Sequence, residues 1–369
     1  MVTQEKVVRS LQVGLGERSY EIRVGYGLGA EIRQARERLE EKNRSVAVVT
    51  DAGFASAQPA FLEEAFGDCP SLELLPGETT KSLDNLGAVW DFLASRKLDR
   101  SACLFVVGGG VVGDLGGFAA ASFLRGIDFI QVPTTLLAMV DSSVGGKTGL
   151  NLPAGKNLAG AFHQPKAVFA DLALLGTLSS REFASGMAEI IKYGLLGNRD
   201  LHESLVASGT LTATSPELSE IIEVCCADKA RIVEEDEREI SRGSRGRALL
   251  NLGHTFAHAI EAVAGYGDYL HGEAVAIGLV CAVRLSEKLG SLAEGHGPEL
   301  DDLLSRQGLP TALRSSLPVE SLTDAMHSDK KVRGGLLRFV VMDAVGDSRV
   351  ADDLPLPLVE ETWRTIGAV

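Results

Sequence analysis

Three histidines lie close together in the second half of the chain and could bind a metal ion. His254 and His258 are four residues apart, so they share one face of a helix, and His271 follows a Gly-Tyr-Gly turn. Glu189 lies on a separate predicted helix and offers a carboxylate. Three such ligands with a free fourth position are typical of a catalytic zinc site. A single histidine is better explained by core packing or helix capping, whereas three so close together favour a metal. Spacing alone leaves open which residues bind it.

A glycine turn in the first half could bind a dinucleotide. The apolar strand predicted over 103–107 runs into Gly108-x-Gly110-x-x-Gly113, which predicts a strand, a tight turn and the start of a helix. Backbone N–H groups at such a helix start bind a pyrophosphate. A turn that merely packs a helix closely against a strand would have the same spacing. Arg125 and Asp128, rather than an acidic residue ending a second strand, lie about 20 positions on, so the pattern indicates a variant nucleotide site.

Two further motifs follow the glycine turn. A strand predicted over 129–132 leads to Thr134 and Thr135, and the segment 141–148 follows. Gly146-Lys147-Thr148 is similar to the end of an NTPase phosphate loop, but Asp141 stands where that motif requires glycine. The NTPase interpretation is therefore rejected.

Together these motifs resemble the 3-dehydroquinate synthase family. They occur in the family's order between about 46 and 339, as GGGVVGDLGGF, FLRGIDFIQVPTTLLAMVDSSVGGKTGLNLPAGKNLAGAFHQP, GMAEIIKYG, NLGHTFAHAIE and HGEAVAIG. The resemblance implies an α/β, Rossmann-like NAD-binding domain over 1–175 and a mostly α-helical metal- and substrate-binding domain over 176–369, with the active site in the cleft between them. It also implies a homodimer.

The family's site residues are carried over motif by motif. The resemblance implies that Glu189, His254 and His271 bind Zn²⁺ or Co²⁺, and that His258 handles substrate and protons. We follow it because this helix lacks the glutamate of H-E-x-x-H. Around NAD⁺ the resemblance places Asp51, Glu78, Lys81, Gly109, Gly110, Val111, Val112, Gly113, Asp114, Thr134, Thr135, Asp141, Ser142, Lys147, Lys156 and Thr177. Around the substrate it places Arg125, Asp141, Lys147, Asn157, Lys192, Lys229, Arg247, Asn251, His258 and either Lys330 or Lys331; Lys156 could contact either ligand.

The implied reaction explains why a nicotinamide, a metal and many lysines occur in one chain. The family substrate, 3-deoxy-D-arabino-heptulosonate 7-phosphate, carries a phosphate and a carboxylate that would pair with lysines in apolar motifs. Transient oxidation by NAD⁺ acidifies the neighbouring carbon, phosphate leaves by β-elimination, and the hydride returns. Ring opening and an intramolecular aldol then give 3-dehydroquinate.

The elements that must position these residues alternate between strand and helix in the first half. A hairpin is predicted over 7–25 and a last strand over 167–170, and from about 178 the pattern becomes helical. The other predicted strands are 45–50 and 72–75; the predicted helices are 30–41, 82–98, 181–195, 218–233 and 251–264, and 240–246 is predicted to be an exposed loop. Parallel strands gather ligands at their carboxyl ends. Taken alone, Asp51 is better explained as a helix cap; the resemblance favours cofactor contact.

The composition limits which classes of molecule this protein could bind and where it could be located. The 369 residues carry a formal net charge of −14, which argues against a nucleic-acid-binding face and requires a local basic cluster for an anionic substrate. The five cysteines lack metal or disulfide spacing, and neither a signal core nor a membrane-spanning run occurs. We therefore expect a cytosolic enzyme.

Three other functions remain open from the sequence. Another sugar phosphate cyclase would share the cofactor and metal, but the segments ending in Lys147 and Gly194 favour dehydroquinate as the product. A metal-dependent polyol dehydrogenase would release NADH and would need fewer lysines facing its substrate. An inactive nucleotide-binding regulator would need neither the metal ligands nor Lys147.

Overall fold

The computed structural model describes residues 8–240, 246–265, 267–332, 337–352 and 354–369, with no side-chain description for 328–332. The chain forms two compact units. The first comprises Met1–Ser179 and Ala213–Glu234, and the second comprises Ser180–Thr212 and Glu235–Val369. The predicted loop 240–246 falls largely outside the described residues.

The first unit is built on a mostly parallel sheet. The strands of this unit are β1 (Arg9–Val13), β2 (Tyr20–Gly25), β3 (Val46–Asp51), β4 (Ser71–Leu74), β5 (Cys103–Gly108), β6 (Asp128–Pro133), β7 (Lys147–Leu152), β8 (Gly155–Phe162) and β9 (Ala167–Asp171). The seven-stranded sheet has the order β1-β2-β9-β6-β5-β3-β4, and β1–β2 is its antiparallel pair. The predicted hairpin and α/β class are confirmed. The buried strands read as continuous apolar runs because helices cover both faces.

Helices surround this sheet and make up most of the second unit. They are α1 (Gly29–Glu40), α2 (Ala52–Ala57), α3 (Pro59–Phe66), α4 (Leu83–Ser95), α5 (Gly110–Ser122), α6 (Ser180–Gly197), α7 (Arg199–Ala207), α8 (Leu218–Glu235), α9 (His254–Ala264), α10 (His271–Lys288), α11 (His296–Arg306), α12 (Val319–Val332) and α13 (Leu356–Thr365). Helices α4 and α5 bury apolar residues on one face of the sheet, and α1 and α3 bury theirs on the other. No helix in the described part of the chain is long and apolar enough to cross a bilayer.

Three features differ from the sequence-based expectation. Strands β7 and β8 form an antiparallel hairpin where the sequence suggested only motifs. Helix α8 belongs to the first unit, although the predicted boundary assigned everything after 175 to the second; its Lys229 and Cys226 contact the segment around Asp141. The second unit also contains an antiparallel hairpin, β10 (Arg338–Ala344) and β11 (Asp347–Asp352).

Glycines allow α10 to approach its neighbours closely within the second unit. A Cβ on Gly272 would lie 1.9 Å from the carbonyl oxygen of Ser185 on α6. A Cβ on Gly278 would lie 2.2 Å from the carbonyl oxygen of Gly253, which precedes α9. No side chain fits at either place. The starts of α9 and α10 are therefore held against α6 and against each other.

Candidate active site

The structure brings Glu189, His254 and His271 together in the second unit. One potential ligand atom from each lies within 4.8 Å of the others. Glu189 Oε1 is 3.5 Å from His254 Nε2 and 3.7 Å from His271 Nε2. Donor atoms that share one tetrahedral zinc ion at about 2.1 Å lie about 3.4 Å apart. The spacing of this cluster fits one metal ion.

The protonation of the cluster also fits a cation. His254 Nδ1 lies 3.1 Å from the carbonyl oxygen of Leu252 and donates its hydrogen there when the ring is neutral. Burial, together with Lys192 and the neighbouring histidines, lowers the pKa of His254 well below its usual range. The Nε2 lone pair of a neutral ring then points at Glu189 Oε1, which has no hydrogen-bond partner in the described part of the chain. Two lone pairs facing each other repel unless a cation lies between them.

The local fold places each of these groups. Glu189 comes one turn after Ser185 on α6, and Gly272 packs on Ser185 immediately after His271. The backbone N–H of Gly272 also donates to Ser185 Oγ at 3.0 Å. Glu273 caps the start of α10 and pairs with Arg181 at 2.7 Å. The close approach of α6 and α10 thus positions the carboxylate against the imidazole.

Lys192 and His258 border the cluster. The Lys192 ammonium forms an ion pair, without hydrogen-bond geometry, with Glu189 Oε2, and the two side chains are 1% and 0% exposed. The His258 ring centroid lies 5.7 Å from that of His254 and 6.5 Å from that of His271. His258 is therefore a neighbour of the three-residue cluster rather than a member of it, although its i, i+4 spacing alone allowed membership.

In the first unit, the glycine turn lies at the carboxyl ends of parallel strands. Gly109 precedes α5, and a Cβ there would lie 3.1 Å from Thr135 Cγ2; a Cβ on Gly110 would lie 3.2 Å from Ser142 Oγ. The N–H of Thr134 donates to the carbonyl oxygen of Gly108 at 3.1 Å. Val111, Val112 and Gly113 form the first turn of α5. The bare backbone at a helix start fits the pyrophosphate of a dinucleotide.

A buried ion pair lies beside this turn. Lys81 Nζ is 2.7 Å from Asp114 Oδ2 and also donates to Asn157 Oδ1. Burial raises the pKa of Asp114, and the nearby Lys81 opposes that rise. Glu78 accepts from Asn151 Nδ2 at 2.7 Å. Asn157, which was predicted to contact substrate, thus lies with two residues that were predicted to contact NAD⁺.

A second pair joins α8 to the segment after β6. Lys229 Nζ lies 2.8 Å from Asp141 Oδ1 and 2.6 Å from the Asp141 carbonyl oxygen. The ammonium is held by groups that are distant in sequence and that both belong to the first unit. Residues predicted for substrate and for NAD⁺ are again side by side.

The other predicted residues are placed as follows. Asp51 caps α2 by accepting the N–H of Phe54 at 2.8 Å, and Thr177 Oγ1 accepts from Gln58 Nε2 at 3.1 Å. Arg125 is exposed, Lys147 is exposed at the start of β7, Lys156 is partly buried in β8, Arg247 is buried in a 3₁₀ turn and Asn251 ends that turn. Lys330 and Lys331 lie on α12, but their side chains fall outside the described residues. The roles of all these residues stay predictions.

Sequence reasoning missed one carboxylate at this site. Glu261 is 6% exposed, and its Oε2 lies 3.5 Å from His271 Nδ1. It is on the same face of α9 as His254, seven residues earlier. That i, i+7 spacing was visible in the sequence, but the approach of His271 to this face was not.

Comparison with known proteins agrees with the geometry. Residues 71–185 match the 3-dehydroquinate synthase N-terminal family and residues 186–332 match the 3-dehydroquinate synthase C-terminal family. A 3-dehydroquinate synthase of Opitutus terrae is 54% identical over 359 residues, which cover 97% of this chain and 99% of that protein.

Two solved structures are similar over nearly the whole chain. A 2-deoxy-scyllo-inosose synthase complexed with carbaglucose-6-phosphate, NAD⁺ and Co²⁺ has a TM-score of 0.86 at 26% identity, with 97% of this chain and 100% of that chain covered. A 2-epi-5-epi-valiolone synthase from Streptomyces hygroscopicus subsp. jinggangensis, with NAD⁺ and Zn²⁺ bound, has a TM-score of 0.85 at 25% identity, with 96% and 98% covered.

The fold is that of the sugar phosphate cyclases. Within that class, the chain belongs to the 3-dehydroquinate synthase family.

Proposed function

We propose that this chain converts 3-deoxy-D-arabino-heptulosonate 7-phosphate into 3-dehydroquinate and phosphate, the second step of the shikimate pathway, with NAD⁺ and Zn²⁺ or Co²⁺ as cofactors. The observation that carries the proposal is the convergence of His254 Nε2 and His271 Nε2 on one oxygen of the buried Glu189. A chain that bound NAD⁺ alone would have no use for this cluster. The family relationship supports the particular reaction.

When bound, NAD⁺ supplies reversible hydride acceptance and the metal supplies Lewis acidity toward a substrate hydroxyl. We assign the metal to Glu189, His254 and His271. The Leu252 carbonyl holds the His254 tautomer that leaves Nε2 unprotonated. The Lys192 ammonium partly neutralises the Glu189 carboxylate and places a positive charge beside the proposed metal ligands.

We assign the pyrophosphate of NAD⁺ to the backbone of Gly109 to Asp114 at the start of α5. The ion pair between Lys81 and Asp114 orients both side chains beside that turn. Asp51, Glu78, Thr134, Thr135, Asp141, Ser142, Lys147, Lys156 and Thr177 complete the proposed cofactor contacts. For all of these except Lys147 and Lys156, which lie in the antiparallel β7–β8 hairpin, the support is a position at or after the carboxyl end of a parallel strand of the main sheet.

We assign the phosphate and carboxylate of the substrate to basic groups. The chain as a whole is acidic, with a net charge of −14, so local cations must attract this ligand. Buried Lys192, Lys229 and Arg247 suit the task because a desolvated cation interacts strongly with an anion. The remaining proposed substrate contacts are Arg125, Lys147, Asn157, Asn251, His258 and either Lys330 or Lys331.

Two broader properties belong to the same proposal. We expect a homodimer, as the family resemblance implies. We also expect a cytosolic location, which is supported by five free cysteines, four of them buried. Size-exclusion chromatography with light scattering and fractionation of the source cells test these expectations.

A comparison of substrates tests the proposed reaction. The metal-loaded protein with NAD⁺ should release phosphate from the heptulosonate phosphate, and much more slowly from a heptulose 7-phosphate without the C1 carboxylate or from glucose 6-phosphate. Faster turnover of either of the other sugars would identify a different cyclase. Accumulation of NADH with simple polyols, and no phosphate release, would identify a dehydrogenase.

A further inference from the structure

The His271 ring lies between two carboxylates that face different ring nitrogens. Glu189 Oε1 is 3.7 Å from Nε2, and Glu261 Oε2 is 3.5 Å from Nδ1. Glu189 also faces His254, whereas Glu261 lies on α9, on the side of the ring away from that point. The two carboxylates therefore have different tasks.

The available protons determine what each carboxylate can do. A neutral imidazole has one N–H and one lone pair, so the ring donates to one neighbour and presents its lone pair to the other. If Nδ1 donates to Glu261, Nε2 presents its lone pair toward Glu189. His254 has the same arrangement, with the Leu252 carbonyl as its acceptor. Both rings then present Nε2 to one point.

We propose that Glu261 is a positioning residue for the metal ligand His271, which holds the ring and its tautomer by accepting the Nδ1 hydrogen. The inference rests on the metal site in the proposed function. Metal-binding histidines commonly donate their other N–H to a carboxylate, which raises the basicity of the ligand and fixes its orientation. Glu261 is 6% exposed, so its charge is desolvated and its interaction with the imidazole is strong.

The position of His271 makes such support necessary. It is the first residue of α10, and its side chain is 34% exposed, against 12% for His254 and 0% for Glu189. A ring at a helix start and partly in solvent is less constrained by packing than one within a buried helix. Glu261, from the adjacent helix, supplies the restraint that packing does not.

Metal affinity is the direct test. The metal-free protein is titrated with Zn²⁺ and with Co²⁺ against a chelator of known affinity, for the wild type, Glu261→Gln and Glu261→Ala. We expect the dissociation constant to rise by about 10- to 100-fold, as is usual when such a partner is lost. The visible absorption spectrum of bound Co²⁺ should change as well, because the orientation of one ligand changes.

Glu287→Gln is the matched control. Glu287 is on the same helix as His271, and its Oε1 accepts the N–H groups of Gly295, His296 and Gly297. Its loss should lower the melting temperature and leave both the metal affinity and the Co²⁺ spectrum unchanged. Melting of each metal-free variant separates a folding defect from a defect in metal binding.

A second measurement on the wild type does not depend on whether a variant folds. With ¹⁵N-labelled histidine and Zn²⁺ bound, His271 should show a proton on Nδ1 and none on Nε2. An Nε2–H tautomer, or a Glu261→Ala variant with wild-type affinity and spectrum, would overturn the inference alone. A wild type that binds no metal would instead refute the metal site of the proposed function, and the inference with it.

Discussion

Replacing Gly272 with alanine should separate α6 from α10 and damage the metal cluster. The new Cβ would lie 1.9 Å from the carbonyl oxygen of Ser185 and 2.5 Å from its carbonyl carbon. Close carbon–oxygen contacts lie at about 3.3 to 3.6 Å, so the new Cβ and the Ser185 carbonyl oxygen must move apart by about 1.4 Å. Both atoms belong to the backbone of a buried helix, so no side-chain rotation relieves the clash.

The cost follows from this geometry. Inserting a methyl group into a packed core costs about 1–3 kcal/mol, and a backbone clash belongs at the upper end. About 3 kcal/mol corresponds to a fall of roughly 6–12 °C in melting temperature for a unit of this size. The same movement would lengthen the 3.7 Å separation between His271 Nε2 and Glu189 Oε1. Donors that share one ion lie about 3.4 Å apart, so metal affinity should fall too.

Circular dichroism melting and chelator competition measure the two effects. Gly209→Ala is the control, since a Cβ there meets nothing within 4 Å and the backbone is not in the left-handed region. That variant should stay within about 0.5 kcal/mol of the wild type. A Gly272→Ala protein with wild-type melting temperature and metal affinity would refute the argument that helix contact positions the ligands.

Three further predictions concern the metal, acid stability and a helix. Excess Zn²⁺ should stabilise the wild type, by about 2.7 kcal/mol at 100 times its dissociation constant, but not Glu189→Gln; equal stabilisation of both would contradict the ligand assignment. Burial opposes ionisation of Glu273, but hydrogen bonds from Arg181, the Leu270 N–H and Arg314 outweigh it and lower its pKa. The stability that the Glu273 carboxylate contributes is therefore complete above its unfolded pKa of about 4.3 and is lost as the pH falls through the folded pKa. The free energy of unfolding measured in urea should therefore fall more steeply toward pH 3 for the wild type than for Glu273→Gln. The same pH dependence of the free energy of unfolding in both proteins would contradict this role of Glu273. Gly87→Ala, inside α4 with nothing within 4 Å of the new Cβ, should stabilise by about 0.5–1 kcal/mol, and a lower urea midpoint would contradict that expectation.

Much of the first unit was predictable because its signals are local. Apolar runs such as β5 and β6 are long enough to be recognised as buried strands, and the glycine turn indicated the start of α5. The β7–β8 hairpin was not predicted because its two strands carry few β-branched side chains. Helix α8 was assigned to the wrong unit because contacts such as that between Lys229 and Asp141 are invisible to local periodicity.

The metal cluster also depends on contacts between residues that are distant in sequence. Sequence spacing could group His254 with His258 on one helix face, but it could not choose between His258 and His271. That choice depends on the approach of α10 to α6, which Gly272 permits. Only the family resemblance selected His271 in advance. Glu261 was missed for the same reason, since its partner comes from another helix.

The most direct test of the central claim is turnover with less NAD⁺ than substrate. The metal-loaded protein receives the heptulosonate phosphate in excess over NAD⁺, while phosphate, dehydroquinate absorbance and NADH are followed together. The account predicts equal amounts of phosphate and dehydroquinate, many per NAD⁺, with no accumulation of NADH and complete loss on chelation. NADH formed in proportion to oxidised substrate, without phosphate release, would contradict it.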